Sequence, residues 1–462
     1  MEKQRSSFSG SIGFVLAAAG SAVGLGNIWR FPYLAAEGGG GLFLFIYIGL
    51  ALTFGFTLLM SEVAIGRRTK QSCLTAYKKM DKRFGWLGGL ASIVPFIILP
   101  YYCVIGGWVM KYAFSFIIGK GIAAADDNFF VTFITGKGGP IVYTLVFLAL
   151  TGFVVFRGVN KGIEAMSKVL MPVLFVLIIG ISIYSLTLNG GKEYDHRTGI
   201  EGFMYYITPS VEGMNFRDIL RVVMNAMGQL FYSISVAMGI MVTYGSYFKD
   251  KDNLVKSVNQ IEIFDTVVAF LAGVMIIPAV YVFLGPENMA AGPGLMFVAM
   301  PKIFAQMGDA GTLLGIIFFL MVLFAALTSS VSLLEAVVSG FIDKGMERKK
   351  ATVVESLTAT VIAVAVCLGY NLLYFEFKLP NSDSPGQILD ILDYLANNIL
   401  MPVLAIGTCI LIGWFVKPKT IVDEATKNGE RFFRKHLYTV MVKFIAPALL
   451  LILLLSSFGI FG

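Results

Sequence analysis

Residues 20–32 read Gly20-Ser21-Ala22-Val23-Gly24-Leu25-Gly26-Asn27-Ile28-Trp29-Arg30-Phe31-Pro32. They lie inside an apolar segment, Ile12 to about Ala36, that is long enough to cross a bilayer. Gly20, Gly24 and Gly26 fall close together there, and each costs about 1 kcal/mol against Ala in a helix interior while leaving backbone polar groups uncovered. The spacing predicts a helix broken in its middle. At about 1.5 Å rise per residue, Val23 lies roughly 18 Å from the start of the segment, near the midplane of a ~30 Å hydrocarbon core. Unwound backbone is tolerated at that depth only where it is packed in protein or lines a cavity. The half-helix ending near Gly20 to Val23 offers free carbonyls to a small cation. The half starting near Leu25 and Gly26 offers free amides to an anion such as a carboxylate, and Asn27 adds a side-chain carbonyl. Taken alone, the glycines also suit close helix packing.

The rest of the chain fits that setting. Of 462 residues, 57% are apolar and 14% charged, which bounds the class to an all-α polytopic membrane protein without a sizeable soluble domain. Beyond the first segment, apolar runs mark spans at about 41–66, 87–116, 140–156, 165–188, 218–247, 254–284, 312–342, 351–372, 387–416 and 440–458. Eleven transmembrane helices in one domain, 1–462, are expected, with five-helix halves at about 10–190 and 215–416 and a last helix at about 440–458.

The net charge of +7 has a topological reading and does not point to nucleic acid. Alternating the spans puts about 26 Lys and Arg on the amino-terminal side and about 10 on the other, so the amino terminus is expected in the cytoplasm and the carboxyl terminus outside. Ala17 to Ala19 resemble a leader-cleavage site, but the apolar stretch continues past them, so cleavage is not expected. Cys73, Cys103, Cys367 and Cys409 are scattered, and His196 and His436 fall in polar connections, so neither a disulfide framework nor a transition-metal site is expected. No span pairs a nucleophile with a plausible base, which argues against an enzyme.

The sixth span repeats the oddity of the first. Gly228 to Gly239 reads G-Q-L-F-Y-S-I-S-V-A-M-G, with Gln229, Ser233 and Ser235 in an apolar helix. Interrupted spans at corresponding positions of two halves point to the central site of an inverted-repeat transporter. Glu62, Asp265 and Glu335 also lie within spans, where an unpaired ionisable group costs about 2.5 to 3.5 kcal/mol or more. Asp265, near the cytoplasmic third of the seventh span, is placed either to face a cation or to be satisfied by a neighbouring serine or kept protonated. Ala325-Ala326-Leu327-Thr328-Ser329-Ser330 sets three hydroxyls in succession in the eighth span. With the carbonyls of Gly20 and Val23, they would suit a hard, oxygen-preferring ion such as Na⁺.

Together these segments resemble the neurotransmitter:sodium symporter family, in its bacterial amino-acid transporter branch. The resemblance rests on G-S-A-V-G-L-G-N-I-W-R-F-P-Y from Gly20, G-Q-L-F-Y-S-I-S from Gly228, G-P-G-L-M-F-V-A-M-P at Gly292 to Pro301 and A-L-T-S-S from Ala326. It implies a 5+5 inverted-repeat, leucine-transporter-like fold with helices 1 and 6 unwound at mid-membrane. It further implies two sodium ions, one held by Gly20, Val23, Ala325, Thr328 and Ser329. The other would be held by Ala22, Asn27 and Ser233 with the substrate carboxylate. Asp265 looks like the acidic residue that replaces chloride in many bacterial members, so no chloride requirement is expected. A gapless count from Pro278 puts Phe264 where other members have a sodium-binding Asn. Tyr47, Gln229 and Ser233 match the positions that hold chloride in animal members.

The same resemblance places the substrate. Tyr102 and the amides of Leu25 and Gly26 would hold its carboxylate, and carbonyls of the unwound sixth helix its ammonium group. Ile98, Phe231, Tyr232, Ser235, Met238, Ser329 and Leu333 would surround its side chain, and Ala22 and Ser233, which share the carboxylate with the sodium ion, would also contact the substrate. Ser21 to Gly26 carry no acid, so a free α-carboxylate is expected on the substrate, and the apolar lining favours hydrophobic or aromatic L-amino acids. Ala237 stands where many members carry Gly. Arg30 and Asp393 would close the outer side, Arg5 and Asp343 the inner side beside Phe8, Ser246 and Tyr247, and Glu287 to Met307 would form an external lid. The expected partners are the amino acid and the lipid bilayer of the cell membrane, with oligomeric state left open. A channel or a non-transporting amino-acid sensor on this scaffold is the rival reading, and the apolar fourth, fifth and ninth spans offer a channel no polar pore.

Overall fold

The computed structural model describes residues 7–289, 294–380 and 385–460, with residue 309 as backbone only. The first span is two half-helices, α1a (Ser11–Ala22) and α1b (Gly26–Glu37), bent by 55°. Val23 leaves helical geometry at ψ 89°, which interrupts the segment where the glycines predicted. There follow α2 (Gly41–Thr69), α3 (Lys82–Ile117), α4 (Gly139–Phe156) and α5 (Val159–Leu186). The sixth segment is again two pieces, α6a (Phe216–Ser233) and α6b (Ile240–Ser246). The chain continues through α7 (Leu254–Phe283), α8 (Ala310–Asp343), α9 (Arg348–Leu368), α10 (Ile388–Val416) and α11 (Lys435–Ser457).

Among the described residues, nine unbroken helices and the one bent pair are long and apolar enough to span a membrane. The sixth of the eleven expected spans does not meet that standard. Its break leaves α6b only 7 residues long, and the first turns of α6a carry Arg217, Asp218 and Arg221.

The packing gathers the interrupted helices at the centre. α1a lies against α5, α7 and α8, while α8 runs along α3, and α6a and α6b both pack on α2. Close approach requires glycine at two of these crossings. A Cβ at Gly66 of α2 would lie 2.0 Å from the Val242 carbonyl oxygen of α6b, and one at Gly245 would lie 2.4 Å from the Val63 carbonyl oxygen. α2 and α6b therefore touch backbone to backbone. The connection between α10 and α11 is tied to α2 by a buried ion pair, in which Arg67 Nε meets Glu424 Oε1 at 2.7 Å.

Candidate functional site

At the α1 break the last amide of α1a, that of Val23, still donates to the Ala19 carbonyl, at 2.7 Å. The Gly24 amide donates to Asn27 Oδ1 at 3.2 Å, so Asn27 ties the unwound backbone back to the start of the second half-helix. Its other side-chain atom, Nδ2, donates to Asp265 Oδ1 at 2.8 Å. The same carboxylate oxygen accepts from Ser233 Oγ at 2.6 Å, and Oδ2 accepts from Tyr47 at 3.3 Å. Asp265 is fully buried. It thereby joins four helices, α1b, α2, α6a and α7, at the two breaks. Phe264 instead turns to Phe175 of α5, with ring centroids 6.0 Å apart, so the acid and not its neighbour occupies the site.

The α6 break is built differently. Ser235, Ala237 and Gly239 all have positive φ, at 53°, 56° and 69°. A left-handed conformation costs an L-residue about 1–2 kcal/mol, which gives a physical reason for glycine to be favoured at the Ala237 position. The segment is held by side chains from elsewhere. The Ala237 amide donates to Glu62 Oε1 of α2 at 2.7 Å, and Ser235 Oγ donates to the Ser21 carbonyl at 2.9 Å. Glu62 is thus a buried support for the break. Replacing Glu62 with Ala should leave the Ala237 amide unpaired in the interior and cost about 1–3 kcal/mol. Thermal melting in detergent reads this as a lowered Tm, and Glu62→Gln, which keeps an acceptor, should recover most of it.

Between the breaks lies a cavity of about 30 Å³ lined by Ala22, Leu25, Gly26, Ile98, Tyr102, Tyr232, Ser233, Ser235, Met238, Ser329 and Leu333. Eleven of the twelve residues expected around a substrate therefore line one space. Phe231 does not line it and packs toward Phe54 of α2, with centroids 6.3 Å apart. The rotation of α6a turns Tyr232 inward instead. A Cβ at Gly26 would lie 2.9 Å from Tyr232 Cδ1, so the glycine makes room for that ring. The amide of Leu25 faces Tyr102 Oη at 3.4 Å. Ser21, Gly24, Asn27 and Ile240 complete the lining. Ser21, Gly24 and Ile240 were missed, although Ser21 and Gly24 stand within the motif that signalled the site.

A second convergence sits between α1a and α8. Ser329 Oγ lies 3.0 Å from the Ser21 carbonyl and 3.4 Å from that of Gly20. Thr328 Oγ1 lies 3.0 Å from the Ala325 carbonyl and 3.1 Å from that of Phe324. A Cβ built on Gly20 would be 3.2 Å from Thr328 Cβ, so the end of α1a rests directly on this hydroxyl pair. Val23, the next expected ligand, is buried beside them. Carbonyl and hydroxyl oxygens with no formal charge gather here, a donor set that fits an alkali cation.

Of the expected gates, only the outer pair lies wholly within the described residues. Among the described residues no ion pair joins Arg30 to Asp393. Asp393 Oδ1 accepts from Asn397 Nδ2 at 2.6 Å, one turn along its own helix. Arg5 lies outside the described residues. Asp343 accepts from the Ser72 amide at 2.7 Å and from Thr75 Oγ1 at 2.8 Å. On this side Phe8 packs edge-on against Tyr244 and Tyr247, with centroids 5.7 and 6.1 Å away. Glu335, which stood as a lone intramembrane acid, is paired. Arg348 meets both its oxygens, at 2.6 and 2.8 Å, and the Tyr247 hydroxyl donates to Oε1 at 2.5 Å. Of the segment expected to form an external lid, residues 290–293 lie outside the described part. The remainder is anchored by Tyr112, whose hydroxyl donates to the Phe297 carbonyl at 2.8 Å.

Comparison with known proteins gives a consistent result. The model of the sodium:neurotransmitter symporter family matches residues 5–121 and 132–461. An uncharacterised sodium-dependent transporter of Bacillus subtilis, YhdH, is 35% identical over 99% of both chains. One of Methanocaldococcus jannaschii is 33% identical over 92% of this chain and 85% of its own. The fold superposes on the crystal structure of MhsT in complex with L-phenylalanine with a TM-score of 0.85 and 34% identity, covering 98% of this chain and 100% of that one. Since family model, relatives and fold all run the length of the sequence, this multi-pass membrane protein belongs to the sodium:neurotransmitter symporter family and is a transporter, not an enzyme.

Proposed function

We propose that the protein is a sodium-coupled symporter that imports hydrophobic or aromatic L-amino acids by alternating access without requiring chloride. The observation that carries this reading is the lining of the space between the two helix breaks, which combines Ile98, Met238 and Leu333 with the Leu25 amide and Tyr102; at about 30 Å³ that space has to widen to admit a substrate. The amides at the start of α1b and the Tyr102 hydroxyl, which the Leu25 amide faces at 3.4 Å, suit a carboxylate; the apolar lining suits a side chain without charge. The bound L-phenylalanine of the MhsT structure is in keeping with that chemistry.

Two Na⁺ ions complete the scheme. One lies among Gly20, Val23, Ala325, Thr328 and Ser329. The other lies at Ala22, Asn27, Ser233 and Asp265, where the substrate carboxylate completes its shell. Ligands that share a shell raise each other's affinity by the same factor, so substrate and sodium bind together. Asp265 supplies the negative charge for which other members use chloride. With two Na⁺, a zwitterion and an ionised Asp265, inward movement carries net positive charge down a negative-inside potential, worth about 2.3 kcal/mol per charge per 100 mV. In this reading the amino terminus is cytoplasmic, and closing the inner side draws on Phe8, Tyr247 and the Glu335–Arg348 pair.

Uptake into proteoliposomes tests the proposal. Labelled Phe, Leu, Trp or Tyr should accumulate only under an inward sodium gradient and in preference to Gly and GABA. Binding without concentrative uptake would make the protein a sensor, and a preference for Gly would overturn the substrate class.

A further inference from the structure

A second site lies away from the transport pathway, where α10 ends and α11 begins. Gly413, Trp414, Lys417, Pro418, Lys419, Val422, Lys435, His436, Thr439 and Lys443 enclose a crevice of about 500 Å³. Four of these are lysines, and no carboxylate lines it. Among the described residues none of the four forms an ion pair. The nearby acid Glu424 is turned to Arg67 and Arg68. Lys443 stands apart from the other three because it lies two turns inside the apolar α11, about 12 Å from the helix start. Its Nζ lies 5.9 Å from the centroid of the Trp414 ring, a distant cation–π contact that supplies no counter-charge; a cation at that depth is costly and marks a functional contact unless it is paired with an anion.

The crevice is shaped by two irregular turns that face each other. α10 widens into a π-turn at Leu411–Val416, and α11 at Met441–Ile445. Gly413 lets the backbones meet, since a Cβ there would lie 3.1 Å from the Val442 carbonyl oxygen and 3.2 Å from Lys443 Cα. Trp414 Nε1 donates to the Lys443 carbonyl at 3.3 Å. The indole is largely exposed, as are Phe444, Val440 and Ile445 beside it. In a membrane span such residues face lipid.

We propose that this crevice binds the headgroup phosphate of an anionic phospholipid from the leaflet at the α10–α11 connection, with its acyl chains along Trp414, Val440 and Phe444. Basic pockets between membrane helices recognise acidic headgroups by charge. A soluble phosphate would have no use for the exposed aromatic wall, and Lys443 lies at the depth of the interface instead of in the water beyond it.

Bilayer nanodiscs of phosphatidylcholine carrying an equal small fraction of brominated phosphatidylglycerol or brominated phosphatidylcholine test this through tryptophan quenching. A Trp414→Phe variant supplies the signal of Trp29, Trp86 and Trp108 to be subtracted. Brominated phosphatidylglycerol should quench Trp414 several-fold more than brominated phosphatidylcholine, and Lys417→Gln/Lys443→Gln should remove that preference. Native mass spectrometry should show a retained phosphatidylglycerol in the wild type and its loss in the double variant. Equal quenching by the two lipids, or an unchanged preference in the double variant, would overturn the proposal. So would displacement of the lipid by inorganic phosphate at constant ionic strength.

Discussion

Asp265→Ser should reduce uptake in chloride-free medium by about 10- to 100-fold, and added chloride should restore it. The carboxylate accepts hydrogen bonds from Asn27, Ser233 and Tyr47 in a fully buried position. Hydrogen bonds to a charged group are worth about 1.5–3 kcal/mol each, and a buried donor left without an acceptor costs about 1–3 kcal/mol. Serine keeps an oxygen but loses the charge that, in the proposed scheme, balances sodium. A chloride ion seated between Tyr47, Ser233 and the new hydroxyl would supply that charge and accept from the stranded donors. The experiment compares uptake in chloride and gluconate media for the wild type and the variant. Stimulation of the wild type by chloride, or full activity of the variant without it, would refute the role given to Asp265.

Thr328→Ala combined with Ser329→Ala should raise the sodium concentration for half-maximal uptake by tenfold or more, since losing one strong oxygen ligand is worth about 1.4 kcal/mol or above. The bland alternative is that both hydroxyls merely bond back to their own helix, as Thr328 does to Phe324 and Ala325. Ser329 departs from that pattern by reaching across to the carbonyls of Ser21 and Gly20. Alanine is the best helix former, so α8 should remain intact and the change should fall on the ion. A sodium titration that coincides with the wild type would remove this site from the mechanism. A change in substrate affinity at saturating sodium would point to the cavity instead, which Ser329 also lines.

The parts of the site that could be read from the sequence share one property, which is that their chemistry is local. Three closely spaced glycines weaken a helix wherever it is placed, and the bend between Ala22 and Gly26 follows. Thr328 and Ser329 are adjacent in the chain, and any packing of α8 keeps them together. The residues expected around a substrate are not local in this sense and were implied by the family resemblance; eleven of the twelve line one space.

What the tertiary structure decided depends on helix rotation and on partners far away in the chain. A rotation of about 100° per residue separates neighbours on a helix, so Tyr232 faces the cavity while Phe231 faces α2, and Asp265 faces the breaks while Phe264 faces α5. Glu62 holds the Ala237 amide across 175 residues, and Asp393 bonds Asn397 instead of forming an ion pair with Arg30. Lys443 reads in sequence as one cation in an apolar helix, and only the approach of α10 at Gly413 gives it neighbours. The sequence by itself determined where the backbone must open, because the strength of a helix is set by residues within a turn of one another. Which side chains meet at the opening was settled by packing, because burial rewards whichever face of each helix finds a complementary neighbour.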